Sequence, residues 1–329
     1  MTPDQLSALS DTLFSVTVAI YAVAVVAFAA DLAFGRRPAP RPVAVGSGAG
    51  TAPLPGDAVT GDAAIVEGAA EAGPPRRRWG LVGMVLTAAG ALAQAGVLLA
   101  RSLATGRVPW GNMYEFGTAA VLAGVLAFLV FAVRVPVLRG LGLFVLGPVV
   151  LGLVLIGLYL YAESGPLIAA LRSDWLAVHV SAAILSFGIF IVSAVASALY
   201  LVAVRRERLA AGGAERSGGA WSRLPSVEAL DRVAHRTAVF GFPIWTFAVI
   251  AGAIWAESAW GRFWGWDPKE TWAFISWALY AAYLHARTTA GWRGRPAAWI
   301  NLVAFASLVF NLLFVNLVST GLHSYGGVS

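Results

Sequence analysis

The sequence has no cysteine in its 329 residues. Thiol–disulfide exchange and thiolate metal ligation by this chain are therefore excluded. Charge is also scarce. Asp, Glu, Lys and Arg make up 12% of the residues, about half of what soluble domains carry. Only four histidines are present, and there is no internal repeat. The opening "MTPDQLSALSD" lacks a basic segment and the first apolar run lacks a cleavage site, so no cleavable signal peptide is expected. What remains is apolar: 59% hydrophobic residues and a mean hydropathy of +0.75. Runs of around 20 apolar residues, long enough to cross a ~30 Å hydrocarbon core as helices, recur throughout. The expected fold is an all-α polytopic membrane protein of about eight transmembrane helices.

The spans are placed at about 12–34, 80–102, 117–134, 140–161, 178–203, 237–257, 269–286 and 297–319. The net charge of +6 could mark a nucleic-acid surface, but its arginines sit in short clusters between spans. Arg36, Arg37 and Arg41 follow the first span, and Arg76, Arg77 and Arg78 precede the second. Arg134 and Arg139, then Arg205, Arg206 and Arg208, then Arg287, Arg293 and Arg295 occupy alternate later connections. All of them can face the cytoplasm together, which leaves both termini outside and calls for no nucleic-acid partner. Residues 1–35 thus carry the first transmembrane helix. Residues 36–79 read as a disordered cytoplasmic loop, rich in Pro, Gly and Ala through 38–75, and 80–329 as the main transmembrane domain. A second, shorter linker is read at 207–226, which leaves His235 an ordinary residue of a cytoplasmic connection.

On the outer side lies "WAESAWGRFWGWDPKETW", residues 255–272, with five of the thirteen tryptophans. Asp267-Pro268-Lys269-Glu270 makes a good helix start, with Asp267 as N-cap and Glu270 reaching back to its amide. Capping alone would account for both carboxylates. One or two interfacial Trp per helix end would likewise be ordinary. But Trp255, Trp260, Trp264, Trp266, Trp272 and Trp277 fall together on one side of the membrane. Such a density suits a platform for a large, flat, apolar ligand, bound by stacking and burial. His179 and His323 belong to the same face, one before this stretch and one after. Two neutral imidazoles beside an aromatic floor are what six-coordinate haem iron needs, although a lone interfacial His is more often a hydrogen-bonding residue. His285 lies 17 residues beyond Pro268, about 26 Å along a helix. An ionisable group at that inner depth is expensive and commonly functional, with an interfacial role beside Arg287 as the alternative.

The stretch "WAESAWGRFWGWDPKETWAFISWALYAAYLHAR", with its flanking histidines and "WGNMYEF", resembles the tryptophan-rich WWD signature of the CcsA/ResC branch of system II cytochrome c synthases. The WWD segment then covers 255–277 of a haem-handling domain. The resemblance implies a cytochrome c biogenesis role in the cytoplasmic (inner) membrane, as a subunit of a haem lyase complex, with haem b bound transiently as substrate. It implies that Trp260, Trp264, Trp266 and Asp267, with His179 and His323 on the iron, hold haem at the outer face. It implies further that His285 receives haem from the inner side, opposite a ligand from a ResB-type membrane partner, and that His235 matches no ligand. Trp255 and Trp272 join the binding set by position. Haem would be presented to the CXXCH thiols of apocytochrome c, which other, thiol-reducing proteins keep reduced. No catalytic residue is assigned. The rival readings are a redox cytochrome with permanent haem, which would pair histidines at both depths, and a secondary transporter, which would show intramembrane carboxylates. The related system I proteins, CcmC and CcmF, share the signature, but eight spans favour system II.

Overall fold

A computed structural model describes residues 1–34, 78–134, 136–165, 171–212, 225–289, 292–319 and 321–323. Among these there is no strand. Eight α-helices follow in order: α1 (Pro3–Phe34), α2 (Arg78–Thr105), α3 (Met113–Arg134), α4 (Gly142–Tyr159), α5 (Asp174–Ala211), α6 (Val227–Trp260), α7 (Pro268–Thr288) and α8 (Arg295–Leu317), with a 3₁₀ turn over Pro136–Leu141 before α4. Seven spans, all but α7, are long and apolar enough to cross a membrane. The 21 residues of α7 reach about 31 Å, but Lys269, Glu270, His285 and Arg287 lower its hydropathy. The chain is a multi-pass membrane protein. The loop expected at 38–75 lies outside the described residues, as does most of the linker at 207–226.

Several helices outrun the expected spans. Hydropathy marks only the part of a helix that needs lipid, whereas α5 and α6 continue as polar helix to Ala211 and back to Val227. The connection expected to hold His235 is therefore the first part of α6. Its ring packs edge-on to Tyr283, centroids 6.3 Å apart.

The core is built where polar groups within spans find each other, because hydrocarbon offers no alternative partner. The Tyr21 hydroxyl donates to Gln94 Oε1 at 2.8 Å, and the Gln94 amide donates to the Thr118 carbonyl at 2.8 Å, tying α1, α2 and α3. The Asn301 amide donates to the hydroxyls of Ser193 and Ser197 at 2.8 and 2.7 Å, fixing α8 on α5. Between α3 and α5 the backbones almost touch: a Cβ at Gly188 would lie 2.6 Å from the Ala123 carbonyl carbon.

The two ends of the bundle differ. At one, Arg287 pairs with Asp231 through two bonds of 2.7 and 2.8 Å. At the other, Glu115 is wholly buried and meets Arg107 at 2.8 Å and Arg101 at 3.5 Å. This second end gathers the α2–α3, α4–α5 and α6–α7 connections and the residues after α8.

Candidate functional site

Local sequence builds the α6–α7 connection. Helix α6 stops at Gly261, whose left-handed φ of 71° lets its amide bond the Glu257 carbonyl at 2.8 Å. Helix α7 starts at Asp267, with Pro268 in the first turn and a complete capping box formed with Glu270. Glu270 also accepts from the Gly265 amide at 2.8 Å and lies 3.5 Å from Arg262. Between these fixed ends Trp266 takes φ 58°, a left-handed conformation costing a non-glycine residue about 1–2 kcal/mol. Its ring is exposed and rests edge-on against Trp264 and Phe274.

Asp267 does more than cap. Its Oδ2 accepts from the Lys269 amide at 3.2 Å and from Nδ1 of His323 at 2.8 Å, while Oδ1 accepts from the Leu322 amide at 2.9 Å. Burial alone would raise its pKa, but the bonds from His323 and the two amides outweigh it and hold the carboxyl at about 2. The carboxylate is thus ionised and can only accept, so Nδ1 of His323 carries the proton. Burial lowers the His323 pKa against the opposing pull of Asp267. The ring is neutral, with its lone pair on Nε2.

His179, near the start of α5, reaches the same tautomer by another route. Its Nδ1 lies 2.7 Å from the Ala248 carbonyl of α6. A carbonyl only accepts, so Nδ1 is protonated and Nε2 carries the lone pair. The ring sits on α6 where Gly252 leaves room. A Cβ there would come within 2.7 Å of His179 Cε1 and 2.8 Å of Nδ1.

Trp255 links the two histidines. It is 2% exposed. Its ring stacks parallel to His179, centroids 6.1 Å apart at 6°, and meets His323 edge-on at 5.8 Å. Trp260 packs on His323 at 4.9 Å and on Trp255 at 4.8 Å. His179, His323 and Trp255 all line one open cavity. A second hollow, lined also by Trp260 and Trp264, adjoins it.

Of the residues singled out in the sequence, His179, His323, Trp255, Trp260, Trp264 and Asp267 come together at this end. The Trp266 ring meets that of Trp264 and lines neither cavity. Trp272 packs against Phe310 of α8, centroids 4.3 Å apart, away from the cavity. His285 is at the opposite end of α7, exposed. Tyr283 is buried against α6 and His235, and two residues turn a helix by about 200°, so His285 faces away from His235.

Other lining residues carry no obvious sequence signal. Trp245 lies inside the apolar run of α6, and Asn311 inside that of α8. Lys269 is absorbed by the capping motif. Trp110 was visible, within the "WGNMYEF" connection, and its indole N–H donates to Ser181 at 3.2 Å. That connection is tied down by Glu115, which accepts from the Gly111 amide at 2.7 Å.

Residues 110–323 match the family described as cytochrome C assembly protein. The CcsA cytochrome c biogenesis protein of Gloeobacter violaceus is 36% identical over 298 residues, covering 75% of this chain and 87% of that one. The CcsA protein of Microcystis aeruginosa is 35% identical over 284 residues, 70% of this chain and 83% of that one. Among solved structures, the cytochrome c haem lyase CcmF superposes with a TM-score of 0.62 at 17% identity, over 95% of this chain but only 47% of CcmF. That last likeness is one of fold. The helical bundle, the matched region containing both tautomer-fixed histidines, and the extent of the two CcsA alignments together make this chain a member of the cytochrome c assembly family, of the CcsA type.

Proposed function

We propose that the chain holds haem at the tryptophan end of the bundle, iron between His179 and His323, and presents it for covalent attachment to apocytochrome c. The observation that carries this reading is the matched tautomer. Two imidazoles on different elements each commit Nδ1–H to a fixed acceptor, leaving the Nε2 lone pair, beside a buried Trp255 within ring-contact distance of both. Hydrogen-bonding the far nitrogen is how proteins orient and strengthen histidine ligands. The open, aromatic-lined cavity suits a flat apolar ring.

In this reading the outer face is the tryptophan end, and the arginine clusters face the cytoplasm. The haem is haem b, a transient substrate rather than a resident group. The chain works in the cytoplasmic membrane as a subunit of a system II synthase. His285 receives haem near the inner side; its exposure on α7 leaves room for a second ligand from a ResB-type partner. At the outer face the haem vinyl groups meet the two CXXCH thiols. Each thiol adds across one vinyl double bond, a carbon–sulfur bond forming as the thiol hydrogen passes to the other vinyl carbon. The step is redox-neutral, so the thiols must arrive reduced, and a chain with no cysteine leaves thiol reduction to other proteins.

The test is glycine substitution at each outer histidine. His179→Gly and His323→Gly each open one coordination position without disturbing the aromatic floor. Both variants, purified with bound haem, should lose the six-coordinate spectrum and regain it with added imidazole, together with cytochrome c maturation in cells. A glycine variant with an unchanged spectrum and normal maturation would refute the ligand assignment.

A further inference from the structure

The cavity between the histidines has a polar floor that iron ligation does not use. Lys269 lines both the main cavity and the adjoining hollow. Its Nζ donates to one acceptor, the Asn311 carbonyl, at 3.3 Å. Neither neighbouring carboxylate serves it: Asp267 is taken by His323 and two amides, and Glu270 by Arg262 and the loop amides. Among the described residues Lys269 has no salt bridge. Trp245, 7% exposed, lines the same cavity, and among the described residues its buried indole Nε1 has no hydrogen-bond partner. Both groups are pure donors. A half-buried amine with one acceptor, and a buried N–H with none among the described residues, are donors that an anionic acceptor can satisfy. Asn311 Oδ1, a buried acceptor, also has no partner among the described residues.

We propose that Lys269 and Trp245 form a carboxylate subsite, in which the ammonium pairs with one oxygen of an acid side chain of the bound macrocycle and the indole N–H donates to it. Haem carries two propionates on one edge of the ring and its vinyl groups elsewhere. Capture of a propionate would fix the rotation of the ring in its plane, which two axial nitrogens leave undetermined. The subsite thus decides which edge of the haem faces the approaching thiols. This inference rests on the haem reading above, and adds to it a discrimination between acid and ester side chains.

The experiment titrates the purified full-length chain in detergent with haemin and with haemin dimethyl ester, which has the same iron and ring but no carboxylate. The wild type should bind haemin about 30-fold more tightly than the ester, the size expected when one partner of a buried charged pair is removed. Lys269→Met should bring that ratio close to one while the six-coordinate spectrum persists. Lys269→Arg should keep most of the preference, and Trp245→Phe should reduce it a few-fold. An unchanged ratio in Lys269→Met, or an equal loss of haemin and ester, would overturn the subsite while leaving the histidine assignment standing. A wild-type spectrum indifferent to His179→Gly and His323→Gly would instead overturn the haem reading and the subsite with it.

Discussion

Replacing Asp267 with Asn separates its two roles, because Asn is as good an N-cap as Asp but has only one accepting oxygen. In the native site three donors share two oxygens: Leu322 N–H on Oδ1, and Lys269 N–H and His323 Nδ1–H on Oδ2. With its oxygen at the Oδ2 position, the substituted side chain would point an NH₂ at the Leu322 amide and lose the tether that seats the residues after α8. With the amide flipped, the NH₂ would face Nδ1 of His323 and force the proton onto Nε2, the atom needed for iron. Either way His323 is compromised. Loss of an outer-shell partner of a metal-bound histidine costs about 10–100-fold in affinity, or about 1.4–2.7 kcal/mol. Haem titration of the purified variant should show that loss, with a rise in the five-coordinate fraction. With the oxygen at the Oδ2 position, thermal unfolding should stay within about 1 kcal/mol of wild type, since the cap to the Lys269 amide survives and a favourable charge at the α7 start is lost. An Asp267→Asn chain that binds haem as the wild type does would refute the claim that this carboxylate sets the His323 tautomer.

Gly252→Ala should act on the other ligand. Its Cβ would fall 2.7 Å from the His179 ring, so the ring must leave the Ala248 carbonyl; a lowered haem affinity, rescued by added imidazole, is the expected spectrum-based result. Glu115→Ala removes the shared partner of Arg101 and Arg107 from a fully buried position, and should cost about 3–5 kcal/mol, read as a lower unfolding temperature in detergent. His235→Ala should leave cytochrome c maturation intact, whereas His285→Ala should block it; identical behaviour of the two would refute the separate role given to His285. Deletion of 38–75 with the flanking arginines kept should leave haem content unchanged, as measured by pyridine haemochrome.

The spans were legible because a membrane helix must be apolar along its length. The ends were less so. Once a helix leaves lipid, nothing in hydropathy distinguishes Val227–Arg236 from a loop, which is why His235 reads as loop and proves helical. Within the site, His179 and His323 stood out through rarity, and the tryptophans through density. The sequence pattern does not tell which rings converge. Trp255 and Trp272 read alike, yet one is buried between two histidines and the other packs on α8. Trp245, Asn311 and Gly252 were hidden because each is a single residue in an apolar run, given meaning only by the helix opposite.

The two histidines are held unequally, and that bears on a site that must release its cargo. His179 is fixed by secondary structure: it sits on α5, its proton rests on an α6 carbonyl, and Gly252 lets the helices close around it. That seat belongs to the contact of α5 with α6, the most extensively packed helix pair among the described residues. His323 lies beyond the end of α8, where Asp267 accepts from its Nδ1 and from the amide before it, and the Trp255 and Trp260 rings pack on its ring. In the proposed reading the carboxylate strengthens His323 as a donor to iron, as hydrogen-bonded carboxylates do. In the same reading the product cytochrome brings its own histidine in CXXCH. An imidazole that replaces His323 acts on a segment beyond the end of α8, whereas one that replaces His179 acts where α5 meets α6.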